Sequence, residues 1–380
     1  MNTSVLVIFI CFILSGFFHQ VLYILFPLLT LYYIIFQKAS RLTLNPVSKI
    51  YLYIAIVAVG LFIIQSILYF DIKIFSIKGC LRYVAYFSFA VLVSYLTEKN
   101  IKYFFLILIA YFILTLPMGY YQTMNLGRYQ NVLGHSNHLA YILSILIYFL
   151  VFNVSFKSYK VNIICIVLIF VSLILTKSSG GLLVLIALLG YNGIVSNKIS
   201  FLNKITFSVL PIIMIVLAVN FSEKVASQFE SLNFLTWDFI ENKVTQVIEN
   251  GVNLAGGYGS FIWRVTYWFA IVNEFISESF IKIFFGVGVD HLTQGNMPYK
   301  FMKDDPHNDF IKAFVEFGAI GLFLFIGFFR KIYKIINKNF NIIILIIVPV
   351  LFGNPTVNFS VSITFILILM YEYKKAYNKA

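Results

Sequence analysis

Charge is scarce in this chain. Only 11% of its 380 residues are Asp, Glu, Lys or Arg, and the 15 acidic residues are outnumbered by 28 basic ones. So little charge excludes a soluble domain of this size. Cysteine is scarcer still. Cys11, Cys80 and Cys165 all sit in apolar runs without metal-ligand spacing, which excludes a zinc module and a disulfide framework and leaves them as packing residues. No basic segment precedes the apolar run from Val5 to Phe18, and no small-residue cleavage site follows it. A retained first helix is therefore expected there, not a signal peptide. Internal repeats are not apparent either, which weighs against a transporter built from repeated halves.

What the chain does have is apolar length: 61% of its residues are hydrophobic and its mean hydropathy is +0.91. Runs of 15–20 apolar residues read as membrane-spanning helices. They fall at 4–18, 21–36, 50–70, 79–96, 102–118, 136–153, 161–175, 180–195, 205–220, 309–329, 341–353 and 359–372. The expected fold is all-α and polytopic. About twelve transmembrane helices divide into nine over residues 1–220 and three over 309–380, separated by one large extracytoplasmic loop at 221–308 that contains short helices.

Net charge is +13, but its placement is a topology signal. Alternate loops carry Lys38, Arg41 and Lys49, then Lys99 and Lys102, Lys157 and Lys160, Lys198 and Lys204, the group Arg330, Lys331, Lys334 and Lys338, and the tail Lys374, Lys375 and Lys379. The positive-inside rule puts these loops and both termini in the cytoplasm. No basic face remains for nucleic acid, which is excluded as a partner.

The other side then holds Arg128, Lys177, the long loop and four of the five histidines, His135, His138, His291 and His307, with His19 at a turn on the same side. All three tryptophans, Trp237, Trp263 and Trp268, lie in the long loop. An interfacial aromatic belt accounts for tryptophans there, and so do apolar platforms for sugar rings or lipid. Within the loop, Ser222 is a plausible cap for a helix to Glu249, Gly251 and the run from Leu254 to Gly259 break it, and Ser260 can cap a second helix to about Ile276. Arg264 and Trp268 share a face of that second helix, where a guanidinium over an indole is favourable. Snorkelling to the membrane surface explains Arg264 as well. The segment Phe285-Gly286-Val287-Gly288-Val289 reads as a tight turn, since a lone Gly-x-Gly is weak evidence for phosphate binding.

The loop closes on Asp304-Asp305-Pro306-His307-Asn308-Asp309, directly before an apolar helix. Pro306 fits the first helical position with Asp305 as N-cap. That puts His307 in the first turn at the positive end of the helix dipole, where the neutral ring is favoured and can accept a proton. Gly318 and Gly321 fall within about 40° of it on a helical wheel, so close packing is expected beneath that face. The nearby carboxylates Asp304, Asp305 and Asp309 could hold a divalent metal, but capping and dipole roles account for Asp305 and Asp309. Lys312 and Glu316, four apart, are expected to pair. Arg82, inside the fourth span, is either a minor pyrophosphate contact or a snorkelling side chain.

In order and spacing these motifs resemble the O-antigen ligase/polymerase family of integral membrane glycosyltransferases. That family carries an Arg-x-x-x-Trp helix, a Phe-Gly-x-Gly turn, and Pro-His-Asn followed by Glu-x-Gly-x-x-Gly. Here they are Arg264 and Trp268, Phe285 to Gly288, Pro306-His307-Asn308, and Glu316, Gly318 and Gly321. Upstream, Gly134-His135-Ser136-Asn137-His138-Leu139-Ala140 resembles the family's small-polar-Asn-x-Leu-Ala helix start. Thr176-Lys177-Ser178-Ser179-Gly180 resembles its Thr-x-Ser-Arg-Gly motif, with Ser179 at the arginine position. The resemblance covers about residues 120–330.

It implies transfer of a glycan from undecaprenyl diphosphate to an acceptor hydroxyl, on the outer face of the cytoplasmic (inner) membrane, for surface polysaccharide and lipopolysaccharide biosynthesis. His307 is then the base and Arg264 the main diphosphate ligand, with Arg128, Lys177, His135 and Trp268 binding substrate. No metal or cofactor is implied, and the displacement is single and inverting. Partners are the lipid-linked glycan, membrane lipid and a chain-length regulator protein. A polymerase adding polymer to a lipid-linked repeat unit is favoured, a ligase acting on lipid A–core is the alternative, and a lipid-linked glycan flippase is a further one.

Overall fold

The computed structural model describes residues 3–36, 44–69, 74–154, 156, 158–195, 209, 213, 216, 226, 230, 233, 236–251, 259–292, 297–302 and 305–378. Every regular element among them is helical. In chain order these are α1 (Thr3–Phe36), α2 (Pro46–Tyr69), α3 (Ile74–Ser94), α4 (Glu98–Leu114), α5 (Leu116–Leu126), a 3-10 turn (Asn131–Leu133), α6 (Ser136–Phe152), α7 (Tyr159–Leu175) and α8 (Ser179–Ile194). Then come α9 (Trp237–Asn250), α10 (Gly259–Ile276), α11 (Phe280–Phe285), α12 (Asp309–Ile335), α13 (Phe340–Phe352) and α14 (Phe359–Tyr377).

The expected span positions match the described helices closely, but few of the described helices are long enough to cross a membrane alone. Pro46–Tyr69, Ser76–Ser94 and Asp309–Ile335 are long and apolar enough to cross a membrane, and α4 with α5, bent by 52°, makes a fourth if read as one span. Shorter apolar helices of 10–17 residues accompany them. Local breaks explain the difference. α1 kinks at Phe18 (φ −130°, ψ 38°), between two of the expected spans. Pro117 stands in the first turn of α5 and supplies no N–H to carry the α4 ladder onward. Of the expected span at 205–220 only residues 209, 213 and 216 are described, and the Ser222 cap and the breaker residues 254–258 lie outside the described residues. α9 begins at Trp237, where Thr236 accepts from Phe239 N at 3.3 Å.

α14 is the centre of the bundle. Every residue from Phe359 to Glu372 is buried, as expected for a helix that is apolar all round. α6 is buried from Leu139 to Leu150 in the same way. At the periphery, Ile24, Leu28 and Ile35 of α1 and Ile56, Ile63 and Ile67 of α2 are exposed, the pattern of a hydrocarbon-facing surface.

One irregularity positions the site. α12 is broken at Gly318 (φ 69°, ψ −168°). The break frees the carbonyls of Val315 and Glu316 from their normal helical partners. Val287 N donates to Val315 O at 2.8 Å and Gly288 N to Glu316 O at 3.2 Å. The Phe-Gly-Val-Gly turn therefore docks on the Glu-x-Gly stretch backbone to backbone. A Cβ on Gly318 would lie 2.3 Å from Phe284 O, and one on Gly286 would lie 2.2 Å from Glu316 O. Close packing was expected at Gly318, but the helical-wheel argument for it fails, because α12 begins only at Asp309. Gly318→Ala combines a left-handed φ with a backbone clash, so a loss of about 2–4 kcal/mol is expected. Thermal unfolding of the detergent-purified variant measures it.

Candidate active site

Three helix starts and two loops meet at one end of the bundle. Gly134 in the left-handed region (φ 67°) turns the chain into α6. His135 is the α6 N-cap, its Nδ1 accepting from Asn137 N at 3.3 Å. The His135 ring also lies 4.4 Å from that of His138. His138 is clamped by the α13–α14 connection: Asn358 Nδ2 is 2.8 Å from its Nδ1, and Asn354 Oδ1 is 3.4 Å from its Nε2. A neutral ring with its proton on Nε2 satisfies both contacts. Three residues on, the Tyr141 hydroxyl donates to Phe352 O at 3.2 Å. It sits between Gly180 and Gly353, at each of which a Cβ would fall 2.7 Å from it.

The start of α8 faces the start of α6. Ser178 caps α8 through Gly181 N at 3.3 Å and donates to Asn137 Oδ1 at 2.9 Å. Lys177 is half-buried with φ 50°, and its carbonyl accepts from Arg128 Nη2 at 3.1 Å. Arg128 Nε is buried and makes no hydrogen bond, so this guanidinium keeps donor capacity.

His307 is held differently from the expectation. Asn308, not Asp305, is the N-cap of α12, accepting from Phe310 N at 2.9 Å and Ile311 N at 3.1 Å. Pro306 and His307 lie ahead of the helix, and His307 has φ 50°. A non-glycine residue in this region is a strained backbone that its surroundings must fix. Asp305 Oδ1 accepts from His307 N at 2.8 Å, and the Trp268 indole donates to Pro306 O at 2.6 Å. The Trp263 ring stands 6.0 Å from the His307 ring. α10, which starts at Gly259, one residue before the expected Ser260 cap, thus braces the histidine with its aromatic face.

The expected site residues therefore converge from segments far apart in sequence. His138 lies within electrostatic reach of both His135 and His307, and Arg264, on the helix whose Trp263 and Trp268 meet His307 and Pro306, within reach of Tyr141 and Arg128. Burial lowers the pKa of Arg264; the Tyr141 phenol opposes that shift and the Arg128 charge adds to it. Burial lowers Arg128 as well. Both remain guanidinium cations at neutral pH. Two like charges so placed gain from a shared anion, and a diphosphate offers oxygens to both. The sequence reading missed Tyr141 and the two asparagines that hold His138. Asn358 carries a visible signal as the α14 cap, accepting from Val361 N at 3.0 Å.

Arg82 is neither a pyrophosphate contact nor a snorkelling side chain. It is buried and grips Asp290 with both terminal nitrogens, at 2.7 and 3.3 Å. Asp290 also lies 3.5 Å from Lys312, which forms the expected pair with Glu316 at 3.6 Å. Glu316 accepts from Leu292 N at 2.9 Å. Desolvation alone would raise the Asp290 pKa, but the Arg82 and Lys312 charges hold it below its ordinary value. Lys312 also reaches Asp305 at 4.0 Å, which links this cluster to the cap on His307. Asp309 accepts from Thr356 N at 3.1 Å and Thr356 Oγ1 at 2.6 Å. Asp305 and Asp309 thus serve protein groups, and Asp304 lies outside the described residues.

Residues 164–326 match the Wzy_C family model, described as O-Antigen ligase. The match takes in Lys177, Arg264, Trp268 and His307, while Arg128, His135 and His138 precede it. No curated protein matches the chain. Matched family and apolar helices together point to a membrane protein of glycosyltransferase type.

Proposed function

We propose that this protein is a surface-polysaccharide polymerase. It transfers a glycan from a lipid diphosphate to the hydroxyl of a lipid-linked repeat unit, on the outer face of the cytoplasmic membrane. The observation that carries this reading is that the helix bearing Arg264 holds Pro306 and His307 through Trp268 and Trp263, with Arg128 within electrostatic reach of that guanidinium. His307 removes the proton from the acceptor hydroxyl as that oxygen attacks the anomeric carbon. Arg264 and Arg128 take up the charge that grows on the departing diphosphate. The displacement is single, inverting and independent of metal.

Arg128 makes good a departure from the family pattern. Ser179 stands where the motif has arginine, and Arg128 reaches the same loop from the other side, through Lys177 O. Arg128→Lys keeps the charge and loses the planar fork. A fall of about tenfold or more in polymer yield is expected, because lysine cannot reproduce bidentate donation to phosphate. Quantifying surface polymer per cell in the complemented deletion strain checks it.

The twelve-span topology, with both termini cytoplasmic, belongs to this proposal. The lipid tail has a place in it. An apolar groove of about 240 Å³ runs beside α12 from Asp309 to Lys331, lined by Tyr51, Val57, Phe317 and Phe328. Pro355 and Thr356 line it too, so it shares the α13–α14 connection with the clamp on His138. A flippase reading finds less support. The buried charges pair with one another, and Glu316 is only seven residues, roughly 10 Å, into α12. That is short of the bilayer midplane, where a transport site is expected.

The description of the matched family favours a ligase as the second reading. A gel of glycolipids from a deletion strain separates the two. Core bearing a single repeat unit is the expected result. Bare core, with long chains kept on the carrier lipid, would identify a ligase.

A further inference from the structure

A second cavity, of about 400 Å³, lies between the end of α2, the start of α3, α11 and the segment after the Gly286 turn. It shares no lining residue with the basin around His307. Its polar wall is Gln65, Ser66, Ser76, Glu278, Lys282 and His291.

Gln65 is 3% exposed. Its Nε2 donates to Phe285 O at 2.6 Å and Glu316 O at 2.8 Å, which fixes the amide. Its Oε1 is buried and accepts no hydrogen bond. That oxygen is closed off from the cavity too, so Gln65 shapes the wall without offering an acceptor to a ligand. Ser76 Oγ donates to Val289 O at 2.8 Å, which leaves its oxygen lone pairs as acceptors. At the rim, Lys282 Nζ pairs with Glu278 Oε2 at 2.9 Å. The two charges cancel, so the cavity holds no surplus of cation for a phosphate, in contrast to the Arg264 and Arg128 basin. Phe62 and Met297 add an apolar wall.

Serine hydroxyls and one neutralised ion pair beside an apolar patch suit a ligand whose groups both donate and accept. Adjacent hydroxyls on a ring with an apolar C–H face meet that description, and the volume lies in the usual range for small-molecule sites, about 300–1,000 Å³. We infer that this cavity binds one neutral sugar residue, at a site separate from the catalytic basin. The choice of a sugar over another polyol rests on the glycan-transfer reading.

The test uses the full-length protein in lipid nanodiscs and saturation-transfer NMR. The probes are methyl glycosides of neutral hexoses and N-acetylhexosamines, with inorganic phosphate as the contrast. At least one glycoside should bind. Ser66→Trp, which fills the cavity, should weaken that glycoside by about tenfold or more, and Ser66→Thr, which keeps the hydroxyl, should not. His307→Ala should leave it unchanged. Should Ser66→Trp fail to fold, Glu278→Gln at the rim replaces it, with a loss of about three- to tenfold expected for the weakened hydrogen bonding. The inference is overturned if no neutral glycoside binds, if binding survives both cavity variants, or if phosphate is the probe those variants displace. Surface polymer from a His307→Ala strain would sink the transfer reading alone, since the glycoside data decide the cavity.

Discussion

Cells carrying His307→Ala are expected to make no detectable surface polymer while the protein still inserts and folds. A base acting in the transition state contributes about 10²–10⁴ in rate, and the basin offers no ready substitute. His138 has both nitrogens engaged by Asn354 and Asn358, and the Nδ1 of His135 serves as a helix cap. Arg264→Ala should lose about 10²–10³, the usual loss when a fixed charge-stabilising donor is removed. Arg264→Lys should recover little of that, because a point charge does not reproduce the fork. Whole-cell protein level should stay near wild type in both. Normal polymer amount and length in both variants would overturn the site.

A second large effect is expected at the buried charges. Arg82→Leu leaves Asp290 and Glu316 against Lys312 alone, and removing one partner from such a cluster costs about 3–5 kcal/mol. Arg82→Leu combined with Asp290→Leu should be markedly less harmful, because the pair it leaves, Lys312 and Glu316, is neutral. Melting temperatures of Arg82→Leu, Asp290→Leu and the double variant in one detergent measure the coupling. If the double variant loses the sum of the two single losses, the cluster is not acting as a unit. Some activity should be lost even where folding is kept, since Lys312 reaches Asp305, which holds the His307 amide.

Helix positions were legible because hydropathy changes sharply at the ends of apolar runs. The starts of α6, α8, α12, α13 and α14 lie within a residue or two of the expected ones. The kink at Phe18 falls where a turn was expected at His19, whereas the bend at Thr115 was not legible, because the apolar run continues through it while the backbone does not. The α12 cap was misread for a local reason. Asp305 and Asn308 are both good caps three residues apart, and Pro306 favours the first. The left-handed turn at His307 decides for the second, and sequence gives no sign of it. His307 could be proposed from residue type and place in the chain, and Arg264, Arg128 and His135 from the family resemblance. Their neighbours could not. Asp290 meets Arg82 across 208 positions and His138 meets Asn358 across 220. Contacts at such separations leave no local periodicity to read.

The central claim is that His307 and Arg264 act on one lipid-borne diphosphate in different capacities. Purified protein in nanodiscs, given the lipid diphosphate-linked glycan, separates the two roles by comparing carrier binding with single-turnover transfer. His307→Ala should bind the carrier as wild type does and transfer about 10²–10⁴ more slowly, while Arg264→Ala should lose both binding and transfer. Transfer at the wild-type rate by either variant, or carrier affinity indifferent to Arg264, would contradict the account.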